Sequence, residues 1–381
     1  MITVVGIGAD GWGGLPDATR HLVATHDVLV GSGRQLALVP GQYERVKLPS
    51  PLLANLPALL DDLAGKAVCV LASGDPMFHG IGSTLVRLLG AGSVKAVPHP
   101  SSASLACARL GWALDAVDVV SLVGRPTAAL VPFLHPGRRV LVLGGVPAEV
   151  AAVARDARIT VLEQLGGPLE RVHHDLPSAD PLHVLAVECG EGGYALVPGL
   201  PDDAYEHDGQ LTKREVRAVT LALLAPRPGE LLWDVGAGSG SLAVEWSRVH
   251  PTCRAIAVER NESRAARITR NARSLGVPTI RVVVGESPDV LDFEAPDAVF
   301  IGGGVTAEGA VETCWRAVKT GGRLVANAVT LESEAVLTRW QRELGGSLTR
   351  IEVSRDAAVG GFTAWRPQLP VTIWSVRKEF P

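Results

Sequence analysis

Short apolar runs recur along the chain. Each ends in a glycine-rich or small-residue turn and is followed by a stretch with helical spacing. Residues 2–5 run into GIGADG (6–11), residues 67–72 into SGDPMF (73–78), and residues 94–97 into PHPSS (98–102). Residues 28–30 lead to the turn GSGR (31–34), helical spacing from Gly82 stops at Gly90, and an Ala/Leu-rich helix ends at Leu110, Gly111 and Trp112. The runs at 117–122, 139–143, 159–162 and 183–187 continue the alternation. Apolar runs of this length, bounded by turn residues and separated by helical stretches, predict parallel α/β units in both sections.

The pattern lapses between Glu191 and Asp203, where glycine, proline and acidic residues replace it. That composition predicts a domain boundary. We place the first domain at 1–195, with its two lobes dividing near 112–117, a linker at 196–210, and the second domain at 211–381. Val216, Val219 and Leu223 then mark an amphipathic helix. Asn261 can cap a helix that turns Ala265, Ile268, Ala272 and Leu275 inward before Gly276. Strands are expected at 231–235, 255–258, 280–284, 298–301, 323–326 and 371–376.

The stretch 230–261 carries the strongest chemical signal. An apolar strand bearing Asp234 ends in Gly236-Ala237-Gly238-Ser239-Gly240, a helix starts near Ser241, and the next strand ends in Glu259. Strand, glycine turn, helix, strand and acid is the order of a nucleotide-type pocket on a parallel sheet. Glycine permits φ > 0 and close backbone approach. The helix start aims unpaired N–H groups at a ligand, and a carboxylate at the strand tip can accept from both hydroxyls of a ribose. Ser241 stands where a dinucleotide fold has its third glycine, and no GK[ST] of a phosphate loop follows.

Composition narrows the classes. The 381 residues are 47% hydrophobic and 20% charged, which suits a folded chain of two or three domains. A net charge of −4 gives no electrostatic case for a nucleic-acid partner. The five cysteines form no CxxC pair, so we expect reduced thiols, a cytoplasmic protein and no metal site. The opening strand has no basic segment before it, so no signal peptide is expected, and no apolar run reaches membrane length.

The spelling DVGAGSG (234–240) resembles motif I of class I S-adenosylmethionine (SAM) methyltransferases. With LTKREVR (211–217), FIGGG (300–304) and VANAVTLE (325–332), the second half is similar to the decarboxylating methyltransferases of cobalamin biosynthesis. The first half resembles the tetrapyrrole (class III) methylases through VGIGADGW (5–12), LASGDPMF (71–78), PHPSS (98–102), RLGW (109–112), SLVGRP (121–126) and LGGP (165–168). It departs from them in the first turn, GIGADG where many members read GxGPGD, which points that loop toward the substrate entrance. Both types in this order resemble the fused C5,15-methyltransferases of corrin biosynthesis.

The resemblance implies an α/β protein: a bilobal class III domain followed by a Rossmann-like class I domain. It implies SAM at two sites per chain and a tetrapyrrole substrate, the metal-free precorrin-6B rather than a cobalt form. The product would be precorrin-8X, after methylation at C5 by the first domain and at C15 by the second. The second domain would also remove the ring C acetate as CO2. It further implies a homo-oligomer, a dimer or tetramer. The enzyme alternative is a class I methyltransferase for another small molecule, carrying a non-catalytic tetrapyrrole-binding domain. The non-enzyme alternative is a SAM- or tetrapyrrole-binding module.

Residue by residue, the resemblance puts Ser73, Gly74, Asp75, Ser101 and Ser102 at a SAM cleft between two lobes, with Phe78 and Leu143 lining it. In the second domain it puts Gly236, Ala237, Gly238, Ser239 and Gly240 on the methionine part, Glu259 on the ribose, and Glu286 and Ser287 beside the adenine. Ser101 and Ser102 also read as a helix N-cap. Thr212 with Glu215 reads as a capping box, and the resemblance adds a cofactor contact at Thr212. Arg125, Lys213, Arg217 and Arg355 are candidates for substrate carboxylates, with solvated surface charge as the alternative. Asn327, at a strand end, is the candidate for orienting the macrocycle. His79, His173 and His174 have no partner spacing for metal or acid–base chemistry and read as ordinary polar positions.

Overall fold

The computed structural model describes residues 1–176 and 179–379. The chain forms two compact units, one of residues 1–127 and 133–192, the other of residues 128–132 and 193–381.

In the first unit, β1 (Ile2–Ile7), β2 (Val28–Gly31), β3 (Glu44–Lys47), β4 (Val68–Ser73) and β5 (Val94–Val97) form an all-parallel sheet in the order β3-β2-β4-β1-β5. β1 and β4 are central and covered on both faces, which is why they read as unbroken apolar runs: Val4, Val5, Ile7, Cys69 and Leu71 are buried. Ile7 lies opposite Ser73, so the turns leaving these two strands sit side by side. Gly74 donates its N–H to the Ile7 carbonyl at 3.2 Å, and a Cβ on Gly6 would collide with the Gly74 carbonyl. That close approach is what the first glycine permits.

The second lobe departs from the expectation of parallel units. β6 (Asp118–Ser121), β7 (Arg139–Leu143), β8 (Arg158–Glu163), β9 (Arg171–His173) and β10 (His183–Glu188) are ordered β6-β7-β10-β8-β9. Only β6 and β7 pair in parallel; β10 runs antiparallel between β7 and β8, and β9 is antiparallel to β8. Among the described residues no helix separates β8 from β9 or β10, and without a crossover helix the chain returns antiparallel. The lobe division is also displaced from 112–117. The helix Ser102–Leu110 packs Ala103, Ala106 and Cys107 against Leu141, Leu162 and Ala186 of the second sheet, so the chain changes lobe before that helix.

In the second unit, β11 (Leu231–Val235), β12 (Arg254–Glu259), β13 (Arg281–Val284), β14 (Ala298–Ile301), β15 (Arg323–Ala328), β16 (Ser347–Ile351) and β19 (Val371–Arg377) form one sheet, ordered β13-β12-β11-β14-β15-β19-β16. The β13 to β15 portion is parallel, and β19 is inserted antiparallel between β15 and β16. Strands β17 (Ser354–Val359) and β18 (Phe362–Pro367) make a separate hairpin. The order reverses at β11 and β14, the switch point where an open α/β sheet offers a crevice beyond its strand ends. Trp233, Trp246 and Trp374 are fully buried in the cores on either side.

Residues 196–210 are not a free tether. Leu200 and Tyr205 are buried in this unit's core, and the buried Glu245 carboxylate accepts from the Leu200 N–H (3.0 Å) and the Tyr205 hydroxyl (3.0 Å). Arg217 completes this knot. It is fully buried, bonds Glu245, Asp202 and the carbonyls of Leu200 and Thr212, and lies over the Tyr205 ring at 4.8 Å. Arg217 therefore holds the fold together, and the expectation that it meets a substrate carboxylate is corrected: no part of its side chain reaches solvent.

Candidate active sites

In the first unit one cavity of about 250 Å³ collects Ser73, Gly74, Asp75, Phe78, Ser101, Ser102 and Leu143, together with Gly8 and Ala9 from the turn after β1. Each is delivered by a strand end or a helix start. Gly74 sits at φ +60, and a Cβ there would lie 3.1 Å from the Pro100 carbonyl oxygen and from the Ser101 Cα. Asp75 accepts from the Met77 N–H at 2.8 Å, which folds the SGDP turn over the cavity. Ser101 does cap the helix Ser102–Leu110, accepting the Ser104 N–H at 3.0 Å, while also lining the cavity. The two readings of this pair are compatible. A second, wider hollow of about 720 Å³ shares Asp75, Phe78, His79, Pro100 and Ser101 with the first. His79 takes the left-handed backbone at φ +52, and burial with the nearby Arg125 charge lowers its pKa. Arg125 itself is exposed and outside the cavity wall.

In the second unit a cavity of about 460 Å³ lies at the switch point. Its wall includes Thr212, Lys213, Gly236, Ala237, Gly238 and Asn327. Gly236 (φ +69) lies against Gly303, whose backbone nitrogen would be 2.7 Å from a Cβ, so the turn after β11 can meet the turn after β14 only with glycine at 236. Ser239 and Gly240 stand behind this wall. The Ser239 carbonyl accepts from Asn271 at 2.9 Å, and Gly240 (φ +77) precedes the helix Ser241–Val249, where a Cβ would press on Ile268.

Glu259 is buried, and its carboxylate accepts the Gly238 N–H at 2.9 Å and the Asn261 N–H at 3.0 Å. Asp234 is deeper still. Its Oδ2 accepts the Ala243 N–H at 3.0 Å, and its Oδ1 has no partner among the described residues. Burial, reinforced by the Glu259 charge and opposed by the Ala243 bond, raises its pKa to about 7. Asn327, on the cavity wall, donates to the Thr220 hydroxyl at 3.1 Å, and its buried Oδ1 has no partner among the described residues.

The capping box at Thr212 is not formed. The helix runs Arg214–Leu224 with Lys213 at the N-cap, and no side chain caps it, so Thr212 stands one residue outside and lines the cavity instead. Arg355 lies on β17, away from the cavity wall, paired with Glu215 at 2.6 Å and Asp202 at 3.6 Å. Lys213 lines the cavity, with its Nζ 3.9 Å from Asp202. Glu286 is exposed and faces Arg260 at 3.3 Å, and Ser287 keeps a buried hydroxyl with no partner among the described residues. Neither is on the cavity wall. Sequence reasoning passed over Arg34 and His183 in the first cavity and Gln210, Phe300 and Gln368 in the second. Phe300 and Arg34 lie in FIGGG (300–304) and GSGR (31–34), next to the glycines of those turns.

The described residues contain no cluster able to hold a metal ion and no helix long and apolar enough to cross a membrane. Their cysteines are free, and burial pushes the Cys69 and Cys314 thiols up to about 12.

Comparison with known proteins agrees with this division. Residues 1–176 match the family model described as tetrapyrrole (corrin/porphyrin) methylases, and residues 203–378 match the precorrin methyltransferase domain. A Sinorhizobium protein named precorrin-6Y C(5,15)-methyltransferase [decarboxylating] is 46% identical, over 99% of this chain and 96% of its own. A Mycobacterium tuberculosis protein of the same name is 46% identical over 100% of both. A Saccharolobus solfataricus protein, "Probable cobalt-precorrin-6B C(15)-methyltransferase (decarboxylating)", is 34% identical and spans 48% of this chain and 97% of its own. The chain belongs to the precorrin-6Y C(5,15)-methyltransferase (decarboxylating) family, a tetrapyrrole methylase unit joined to a class I SAM-dependent methyltransferase unit.

Proposed function

We propose that this chain methylates C5 and C15 of a metal-free precorrin-6 macrocycle and removes its ring C acetate as CO2, using one SAM site in each unit. The observation that carries this reading is the presence of two cavities, each built within one unit by glycine turns at strand C-termini. A further support is the Saccharolobus relative, which matches only about half of this chain and whose name carries the C(15) and decarboxylating activity alone. We assign that activity to the second unit and C5 to the first.

The residues suit the cofactor chemically. The glycine cradle at Gly236 and Gly238 leaves room for a ligand at backbone level, and Asn327, whose Oδ1 has no partner among the described residues, is on the cavity wall. SAM, when bound, supplies a methyl group already made electrophilic by its sulfonium. The chain's contribution is positioning, because a well-oriented near-attack geometry is itself a large rate factor. Gly236, Ala237 and Gly238 hold the amino-acid part, Glu259 keeps their turn in shape and faces the ribose, and Ser287 flanks the adenine. Thr212 adds a cofactor contact and Asn327 orients the macrocycle, with Lys213 meeting one of its carboxylates. In the first unit Ser73, Gly74, Asp75, Ser101 and Ser102 form the cofactor cradle. Phe78 and Leu143 supply its apolar wall, and the wider hollow beside them receives the macrocycle.

Decarboxylation needs no protein nucleophile, since an acetate beside an imine-like ring position leaves its electron pair in the conjugated system. We further propose a cytoplasmic homo-oligomer, a dimer or tetramer. The exposed Phe362 and Trp365 of the β17–β18 hairpin support self-association, and light scattering tests it. The test of the main reading is mass analysis of the macrocycle after incubation with SAM. Two methyl additions and one CO2 loss are expected, and a single methyl addition would refute it.

A further inference from the structure

The turn after β2 presents Arg34 to the first cavity. Its backbone is fixed by a reciprocal cap: the Ser32 hydroxyl accepts the Gln35 N–H at 3.3 Å, and the Gln35 side chain accepts the Ser32 N–H at 2.8 Å. From this rigid turn the Arg34 guanidinium reaches across to β4 and donates to the Ser73 hydroxyl at 2.9 Å. Gln35 donates to the same hydroxyl at 3.1 Å.

A guanidinium carries five N–H donors in a planar fork that suits a carboxylate. Here one neutral hydroxyl is its hydrogen-bond partner among the described residues. No carboxylate among them lies within ion-pair distance, although Asp180, beyond the same cavity's Pro181, contributes a favourable charge. Burial lowers the Arg34 pKa, with Asp180 opposing it. A half-buried cation without a paired anion is costly unless something else supplies one. The other arginines of this unit that enter ion pairs, Arg20 with Asp17, Arg109 with Glu170, Arg138 with Asp118 and Arg171 with Glu163, have protein carboxylates and stand outside the cavity wall.

We propose that Arg34 is the carboxylate-binding residue of the first cavity, holding an anionic group of the ligand through a forked charge-assisted hydrogen bond while Ser73 fixes its orientation. This rests on the reading of that cavity as a methyl-transfer site. The carboxylate has two possible sources, the methionine part of the methyl donor or an acetate or propionate arm of the macrocycle, and the experiment separates them.

The test compares Arg34→Gln and Arg34→Lys with the unaltered full-length protein. S-adenosylhomocysteine and 5′-methylthioadenosine, which lacks the amino-acid carboxylate, are titrated by calorimetry, and KM for the macrocycle is measured in C5 methylation. Loss of a charge-assisted bond should weaken the ligand that supplies the carboxylate about ten- to a hundred-fold, with partial rescue by lysine. Weaker S-adenosylhomocysteine with unchanged methylthioadenosine identifies the methionine carboxylate. A raised macrocycle KM with unchanged kcat and unchanged S-adenosylhomocysteine identifies the macrocycle. Either result supports the proposal. It is overturned if all three quantities are unchanged, or if both nucleosides weaken equally, which would mark a merely structural role. Should the unaltered protein bind no S-adenosylhomocysteine in its first unit, the functional reading itself falls, and the proposal with it.

Discussion

Gly238 and Glu259 are joined by a hydrogen bond of 2.9 Å from the glycine N–H to the buried carboxylate, whose other oxygen accepts the Asn261 N–H. One side chain therefore ties the glycine turn after β11 to the N-cap of the helix Glu262–Ser274. A carboxylate offers about four lone-pair positions, so acceptor capacity remains for a ligand hydroxyl. Glu259→Ala removes the brace and, on the proposed function, the ribose acceptor with it. We expect S-adenosylhomocysteine affinity in the second unit to fall at least about ten-fold, as for loss of a charged hydrogen-bond acceptor. C15 methylation should be lost and affinity in the first unit kept. Calorimetry with site-resolved methyl analysis checks this.

Asp234 predicts a pH signature. Burial lifts its pKa from the ordinary 3.8 to about 7, so between those values the folded state holds a proton that the unfolded chain has released. The contribution of this group to stability is full below pH 3.8, declines as pH rises, and is gone above about 7. Asp234→Asn can still accept the Ala243 N–H and never ionises. Denaturant midpoints of the variant should fall less than those of the unaltered protein between pH 5 and 8. Parallel curves would contradict the assignment.

Asn327 tests the macrocycle contact. Its amide nitrogen donates to Thr220, its Oδ1 has no partner among the described residues, and the residue lines the cavity. Asn327→Ala should raise KM for the macrocycle in C15 methylation about five- to ten-fold, the value of a single hydrogen bond. S-adenosylhomocysteine affinity should be unchanged.

Arg217 tests the reassignment of a basic residue from site to scaffold. Its guanidinium and the Glu245 carboxylate are both buried, and Glu245 also holds the N–H groups of Gly199 and Leu200. Arg217→Met leaves a buried anion short of its cation. We expect a loss of about 3 kcal/mol or more from the second unit, read as a lowered urea midpoint. A change in substrate KM with unaltered stability would return Arg217 to the site.

The strand and turn framework was legible because it follows from local rules. A strand covered on both faces has to be an apolar run, and Gly236 and Gly238 have to be glycines where φ is positive and backbones touch. The antiparallel placement of β10 was not legible from its apolar run alone, since His183–Glu188 would read the same in either direction. Charge was the least readable property. Arg34, Lys213 and Arg217 lie at or near a helix start and Arg355 lies on β17. Their roles separate only through partners distant in sequence: Ser73, Asp202, Glu245 and Glu215. Glu259 was found by its position at the strand tip, but its bond to the glycine turn needed the fold.

The most direct test of the whole account is the stoichiometry of S-adenosylhomocysteine on the full-length chain, measured by calorimetry before and after Glu259→Ala. The account predicts two bound per chain, falling to one in the variant with C5 methylation retained. One bound per chain in the unaltered protein, or loss of both together in the variant, would contradict it.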